Sequence, residues 1–189
     1  MKKMLIFTFL CLTTALTLTA QNPAANGVVE ISFVFNRQIG LSSNQYAVWI
    51  EDLSGSFVKT LYATRFTASG GWARRPQSIP LWVQKSALSG LDKNGIDAIS
   101  GATPRTGTVS YNWDGKGANG VSLSSGEYRV FLEATLRGDA RVLYSAAFTL
   151  GQVGDPQTLG AKEAEVKSVY FGDRTNERRM IESVRVVYR

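Results

Sequence analysis

The sequence contains no histidine and a single cysteine. Without histidine, the chain cannot form histidine-ligated zinc or haem sites, nor a hydrolytic triad with a histidine base. The cysteine, Cys11, lies in an apolar N-terminal segment. If that segment is removed, the rest of the chain can form no disulfide and has no thiolate chemistry. Because we find no nucleophile–base set elsewhere, we expect no independent catalytic activity.

The first twenty residues have the composition of a secretory signal peptide. Lys2 and Lys3 form a short basic start, and the apolar run that follows ends at a small residue, Ala20. This order is typical of exported proteins. An uncleaved membrane anchor is the alternative, but the run is short for a bilayer helix, which needs ~20 apolar residues. We therefore expect cleavage near Ala20 and a periplasmic or secreted mature protein. A lipid anchor on Cys11 is a minor alternative.

The remaining chain reads as an N-terminal linker at residues 21–27 and one domain at residues 28–189. Apolar residues recur at every second position in many short segments, a period typical of half-buried strands. Such segments cover residues 28–36, 46–51, 57–63, 108–113, 127–135, 142–150, 166–171 and 183–188. Gly-rich turns separate several of them. The pattern predicts an all-β fold, an immunoglobulin-like antiparallel β-sandwich.

One long excursion interrupts this series of strands, between residues 67 and 106. Within it, apolar residues at helical spacing predict one short helix over residues 79–88. Pro80 suits a first helical turn, Ser78 is a candidate cap, and Gly90 is a candidate end. Long loops in compact domains are usually functional or disordered, so we look for function in this excursion.

A turn-rich stretch follows the excursion. It runs Trp113-Asp114-Gly115 to Gly120 and continues at Gly126-Glu127-Tyr128. This stretch resembles the immunoglobulin-like domain of the flagellar hook-capping protein, which implies a sandwich and says little about function. A calcium loop is the alternative interpretation of residues 114–120, but Lys116 occupies a position where a further acidic ligand is needed.

A wider set of residues is similar to a family of predicted periplasmic proteins of unknown function. The resemblance spans roughly residues 28–150 and rests on Ala47–Asp52, Gly55, Trp82, Asp97–Thr103, Trp113–Gly115 and Gly126–Tyr128. It implies a location beside PepSY-type membrane proteins and flavin transferases. A nucleic-acid partner is not expected, because the net charge of +6 is spread along the chain without a basic-aromatic motif.

Residues 97–103 resemble a flavin-attachment motif, D-x-x-S/T-G-A-T, of the sodium-pumping NADH:quinone oxidoreductase and the Rnf complex. In those complexes a flavin transferase moves FMN from FAD onto the final threonine as a phosphoester. The resemblance implies that Thr103 accepts FMN covalently. It also implies that the recognition segment consists of Asp97, Ser100, Gly101 and Ala102.

An acceptor that must enter another enzyme's active site should lie on an accessible loop. The small residues Gly101 and Ala102 would not obstruct that approach. Pro104 favours an extended Thr103, which we expect to present its hydroxyl outward. The candidates for stacking on the flavin are Trp72, Trp82 and Trp113, and the candidates for balancing its phosphate are Arg74, Arg75 and Arg105.

Two functions remain open from the sequence. The first is an extracytoplasmic electron carrier with FMN on Thr103, which works with a flavin transferase and a PepSY-type membrane redox protein. The second is a non-catalytic immunoglobulin-like binding or assembly module of the cell envelope. The second is compatible with an ordinary loop at residues 97–103, where Asp97 would only close a turn and the motif would be a chance match. The sequence does not decide the oligomeric state.

Overall fold

The computed structural model describes residues 25–39, 43–86, 88, 91–136, 140–152, 162–172 and 180–188. The predicted signal peptide and Cys11 lie outside these ranges. The described elements, in chain order, are the strands β1 (Ala25–Asn26), β2 (Val29–Phe35), β3 (Gln45–Asp52), β4 (Phe57–Thr64), β5 (Ser100–Gly101), β6 (Gly107–Trp113), β7 (Gly126–Thr135), β8 (Arg141–Gln152), β9 (Lys162–Glu163), β10 (Lys167–Phe171) and β11 (Ile181–Tyr188), and the helices α1 (Arg65–Ala68), α2 (Pro80–Lys85) and α3 (Lys93–Ile99).

These strands form two sheets, which confirms the predicted all-β sandwich. The larger sheet has the order β1-β8-β7-β3-β4-β5, with β10 also paired to β8. The smaller sheet has the order β6-β2-β11-β9. Every described pairing between these strands is antiparallel except that of β4 with β5, which is parallel over two residue pairs. The strand β1 pairs with β8, so it places part of the predicted linker in the larger sheet.

The main core lies between the two sheets. The alternating strand β2 places Val29, Ile31, Phe33 and Phe35 in it. The strand β3 differs from the half-buried strand that its alternation predicts, because both of its faces are covered. Tyr46, Val48 and Ile50 face the smaller sheet, whereas Ala47 and Trp49 pack in a second cluster with Ile79 and Trp82. The larger sheet is therefore covered by strands on one face and by short helices on the other.

The long excursion is more helical than the sequence predicts. It contains α1, a 3₁₀ turn at Gly71–Ala73, α2 and α3 in place of the single expected helix. The predicted helix over residues 79–88 is shorter, because the α-helix ends at Lys85.

The prediction that Ser78 caps this helix is wrong. The cap position is Ile79, whose φ of 39° is left-handed, and it makes no side-chain cap. Instead the carboxylate of Glu133, on β7, accepts hydrogen bonds from the backbone N–H groups of Leu81 and Trp82 at 3.2 and 2.9 Å. A cap from so distant a strand leaves no local signal in the sequence. The candidate end, Gly90, lies outside the described residues.

The last two strands belong to different sheets. The strand β10 pairs with β8 in the larger sheet, and β11 pairs with β2 in the smaller one. Of the polar segment between them, only Gly172 and Met180 are described. The chain therefore crosses from one layer of the sandwich to the other between these strands.

Candidate functional site

Residues 97–103, which we call the acceptor segment, lie at the end of the excursion and at one edge of the larger sheet. Asp97 is on α3, a helix capped by the Asp92 carboxylate, which accepts a 2.8 Å hydrogen bond from the Gly95 N–H. Ser100 and Gly101 then form β5 beside Ala63 and Thr64. The helix, the two-residue strand and the following loop together set the position of Thr103.

Tyr62 holds the end of this segment against the sheet. Its hydroxyl donates a 2.7 Å hydrogen bond to the carbonyl oxygen of Ala102. A Cβ atom at Gly101 would lie 3.0 Å from Cε2 of the Tyr62 ring, which is closer than an ordinary carbon–carbon contact. A side chain at position 101 would therefore require the Tyr62 ring to move by a few tenths of an ångström.

Asp97 is held by an ion pair. The Arg65 guanidinium lies 2.5 Å from its carboxylate, and the two side chains are 53% and 41% exposed. Ion pairs this exposed to solvent contribute only about 0–1 kcal/mol. The carboxylate of Asp97 is therefore at the surface and weakly held.

Thr103 does not present its hydroxyl freely outward as predicted. The residue is half-buried, and its Oγ1 donates a 3.3 Å hydrogen bond to the carbonyl oxygen of Asn44. Asn44 is buried and exchanges two 2.8 Å hydrogen bonds with the backbone of Gln38. The bond from Thr103 is longer than usual for a hydroxyl donor, and the neighbouring Ala102 is exposed. The hydroxyl is thus covered by one weak contact and is not sealed in the core.

Ser100 is the remaining polar member of the acceptor segment. Its Oγ is buried and has no hydrogen-bond partner among the described residues. A buried hydroxyl without a partner costs about 1–3 kcal/mol, which weakens the attachment of β5 to the sheet.

Three tyrosines form a cluster directly beneath the acceptor segment. Tyr62 stacks on Tyr46 and on Tyr111 with ring centroids 5.1 Å apart in both pairs. The hydroxyls of Tyr46 and Tyr111 share a 2.6 Å hydrogen bond. Burial raises the pKa of all three phenols above the ordinary value, so they remain neutral at physiological pH. Alternation in the sequence assigns Tyr46 and Tyr111 to core faces, but no sequence signal places Tyr62 against residues 101 and 102.

A groove with a cavity volume of about 430 Å³ opens beside the acceptor segment. Its walls include Phe57, Lys59 and Leu61 from β4, Leu91 and Ile99 from the α3 region, and Asn112 from β6. Ala98, in the acceptor segment, also lines it. The sequence offers no signal for this groove, since its walls come from three separated stretches of chain.

The structure removes three of the six side chains suggested as flavin contacts. Trp82 and Trp113 are fully buried in the core, so neither can stack on a ligand, whereas Trp72 is 37% exposed. Arg75 is bound to the carbonyl oxygens of Ser43 and Leu136, and burial lowers its pKa. The exposed arginines that remain as candidates are Arg74 and Arg105.

Two acidic residues outside this region, Asp114 and Glu51, have structural partners. Lys116 lies 3.0 Å from Asp114 and occupies the turn, which supports the turn interpretation over a calcium loop. Glu51 accepts hydrogen bonds from the Trp49 indole and from Lys85. Within the described ranges there is no group of three or more acidic or cysteine side chains placed to hold a metal ion.

No helix in the described part of the chain has the length and apolar character to cross a membrane. No curated protein and no solved structure matches the chain. One family model does match, over residues 28–167, and its family is described as a predicted periplasmic protein. This match covers most of the chain, including β2 to β8 and the whole acceptor segment. The chain therefore belongs to DUF2271, a family of predicted periplasmic proteins.

Proposed function

We propose that this protein is an extracytoplasmic electron carrier that holds FMN covalently on Thr103. A separate flavin transferase attaches the group, and a membrane redox protein of the PepSY type exchanges electrons with it. The observation that carries the proposal is the placement of the acceptor segment at an edge of the fold, with Ala102 exposed and the Thr103 hydroxyl covered by one 3.3 Å hydrogen bond.

The attachment step is a phosphoryl transfer with FAD as the donor. Thr103 Oγ1 forms a bond to the phosphorus on the FMN side of the diphosphate, the diphosphate bond breaks, and AMP leaves. The hydroxyl proton passes to the transferase, which also supplies the metal ion that activates both groups. In this step the chain contributes the acceptor hydroxyl.

The acceptor segment is held by weak contacts, as expected for a segment that a transferase must displace from the sheet and bind in its active site. Among the described residues, three polar side-chain contacts attach it, namely Arg65 to Asp97, Tyr62 to the Ala102 carbonyl, and Thr103 to the Asn44 carbonyl. Each is a surface ion pair or a single hydrogen bond, worth roughly 1 kcal/mol or less. The parallel pairing of β5 adds only two residue pairs. Ile99 also packs against the second cluster, with Trp49 and Trp82, so release of the whole segment must break this apolar contact as well. Local release of the segment still breaks fewer contacts than unfolding of the sandwich.

Covalent attachment suits an exported protein, since a dissociable cofactor is lost outside the cell. FMN supplies the redox chemistry when it is bound. The protein supplies attachment, orientation and charge, and Arg105, exposed two residues after Thr103, is placed to balance the phosphate.

The proposal is tested by expressing the full chain with an export-competent flavin transferase and measuring intact mass. We expect a gain equal to FMN less water together with yellow colour, and neither in Thr103→Ala. Thr106→Ala is the matched control, because Thr106 is exposed and three residues away, and it should be modified normally. An unmodified wild-type chain would overturn the proposal and favour the binding or assembly module.

A further inference from the structure

We propose that the groove between β4 and α3 seats the isoalloxazine ring and that Lys59 lies against the part of the ring that becomes negative on reduction. This inference rests on the proposed function and extends it, because it assigns residues far from Thr103 to the cofactor. No residue of this groove other than Ala98 and Ile99 belongs to the acceptor segment.

The groove begins where the acceptor segment begins. Ala98 and Ile99 line it, and Thr103 follows Ile99 by four residues, a span of at most ~14 Å of extended chain. The ribityl phosphate of FMN is itself an extended linker that separates the ring from the attachment point. A flavin bound to Thr103 can therefore turn back along the segment and place its ring in the groove.

The size and walls of the groove fit a flat aromatic ring. Its cavity volume of about 430 Å³ lies within the range of cofactor sites, about 300–1,000 Å³. Phe57, Leu61 and Ile99 are half-buried and form apolar walls, and Leu91 is 38% exposed. Burial of apolar and aromatic surface by such a ring is favourable and orients it.

One wall is an open strand edge. The strand β5 pairs only with Ala63 and Thr64, so in the described part of the chain residues 57–61 of β4 have a strand partner on the β3 side alone. The free side of such an edge presents backbone N–H and C=O groups. The pyrimidine portion of a flavin carries alternating carbonyl and N–H groups. These groups can form hydrogen bonds with the backbone N–H and C=O groups of the strand edge.

Lys59 supplies the positive charge in the groove. It is half-buried there. The pKa of Asp114 is lowered mainly by its hydrogen bond from the Lys116 side chain, and the charge of Lys59 adds a smaller effect. When the ring accepts two electrons from the membrane redox partner and one proton from solvent, it gains one negative charge. A nearby ammonium group stabilises that charge and raises the reduction potential.

The test uses the flavinylated protein and compares wild type with Leu91→Asp, Lys59→Gln and the control Lys167→Gln. Lys167 is exposed on β10, which pairs with β8 and is separated from β4 by three strands. Mass spectrometry first establishes equal FMN content. Iodide quenching of flavin fluorescence then measures how accessible the ring is, and a redox titration measures its midpoint potential.

We expect the wild-type ring to be quenched several-fold less than free FMN and Leu91→Asp to remove most of this protection. Lys59→Gln should shift the oxidised-to-reduced ratio about tenfold, which corresponds to ~30 mV for a two-electron couple, while Lys167→Gln should not. A flavinylated wild type quenched like free FMN, with unchanged potentials in the variants, would overturn the inference and leave the attachment intact. A chain without FMN would overturn the proposed function and this inference together.

Discussion

The Tyr62 hydroxyl donates a 2.7 Å hydrogen bond to the carbonyl oxygen of Ala102, the residue immediately before Thr103. Through this bond a strand of the larger sheet holds the backbone of the acceptor segment. The same ring stacks on Tyr46 and Tyr111, so the core of the sandwich fixes its position. Tyr62, a residue outside the motif, therefore contributes to how firmly the acceptor is held.

Removal of this bond should make Thr103 easier to modify. Tyr62→Phe keeps the stacked ring and loses the bond, so we expect flavinylation to become several-fold faster while the free energy of unfolding falls by about 1 kcal/mol. Rates are measured from the gain of FMN mass over time with purified transferase, and stability is measured by denaturant unfolding. Tyr188→Phe, on β11 in the other sheet, is the control. Slower flavinylation of Tyr62→Phe would show that the bond presents the acceptor.

Variants of the ion pair between Arg65 and Asp97 distinguish a structural role of Asp97 from a role in recognition by the transferase. Arg65→Gln and Asp97→Asn break the same contact, and each should lower the free energy of unfolding by about 1 kcal/mol or less. Only Asp97→Asn should abolish flavinylation, because the carboxylate belongs to the segment that the transferase reads. The two variants are compared by intact mass after co-expression. Equal loss in both would mean that the ion pair, rather than Asp97 itself, is what the transferase requires.

Gly101 should not tolerate a larger residue while Tyr62 is present. In Gly101→Ala the new methyl group would lie 3.0 Å from Cε2 of the Tyr62 ring, so one of the two must move. We expect a loss of about 1–3 kcal/mol in the free energy of unfolding, as in other overpacked sites. Tyr62→Leu should recover part of this loss in the double variant. A double-mutant cycle measured by denaturant unfolding checks this, and additive losses would contradict the contact.

Glu133 should make stability depend on pH. Burial raises its pKa above the usual value, although hydrogen bonds from Trp82 and Leu81 and the charge of Arg141 oppose this effect. Because the folded pKa is the higher one, the folded state binds the proton more tightly. The carboxyl group therefore contributes stability at acidic pH, and this contribution is lost as the pH rises from the unfolded pKa, about 4.3, through the folded one.

The measurement for Glu133 is denaturant unfolding of the wild type and Glu133→Gln across this pH range. The stability of the wild type relative to the variant should decrease as the pH rises. A difference that increases with pH would contradict the raised pKa. Glu133→Ala, which also removes the cap of α2 and leaves Arg141 without its buried partner, should lose about 3–5 kcal/mol.

The strands are the part of the fold that the sequence predicts well. Alternation in residues 28–36 and 127–135 is a local property, and it marks β2 and β7 to within one residue at each end. It does not reveal that β3 is buried on both faces, because that depends on Trp82 from the excursion packing against Trp49. It also does not assign β10 and β11 to different sheets, since pairing is decided by strands more than twenty residues away in sequence.

The contacts of the acceptor segment likewise depend on residues that are distant in sequence. Its residue types are a local pattern and can be found in the sequence, but its restraints come from Tyr62, Arg65 and Asn44, each more than thirty residues earlier. The expectation that Pro104 alone would turn the Thr103 hydroxyl outward was wrong for this reason. The groove has no sequence signal, because β4, α3 and β6 form it only after folding.

Peptide mapping by mass spectrometry determines whether Thr103 carries FMN. The full chain is exported in cells that also express a flavin transferase, purified and digested, and the peptide that contains residues 97–103 is fragmented. We expect an FMN phosphoester on Thr103, with Ser100 and Thr106 unmodified. A fully unmodified peptide from cells in which the transferase modifies a known substrate, or FMN located on another residue, would contradict this expectation.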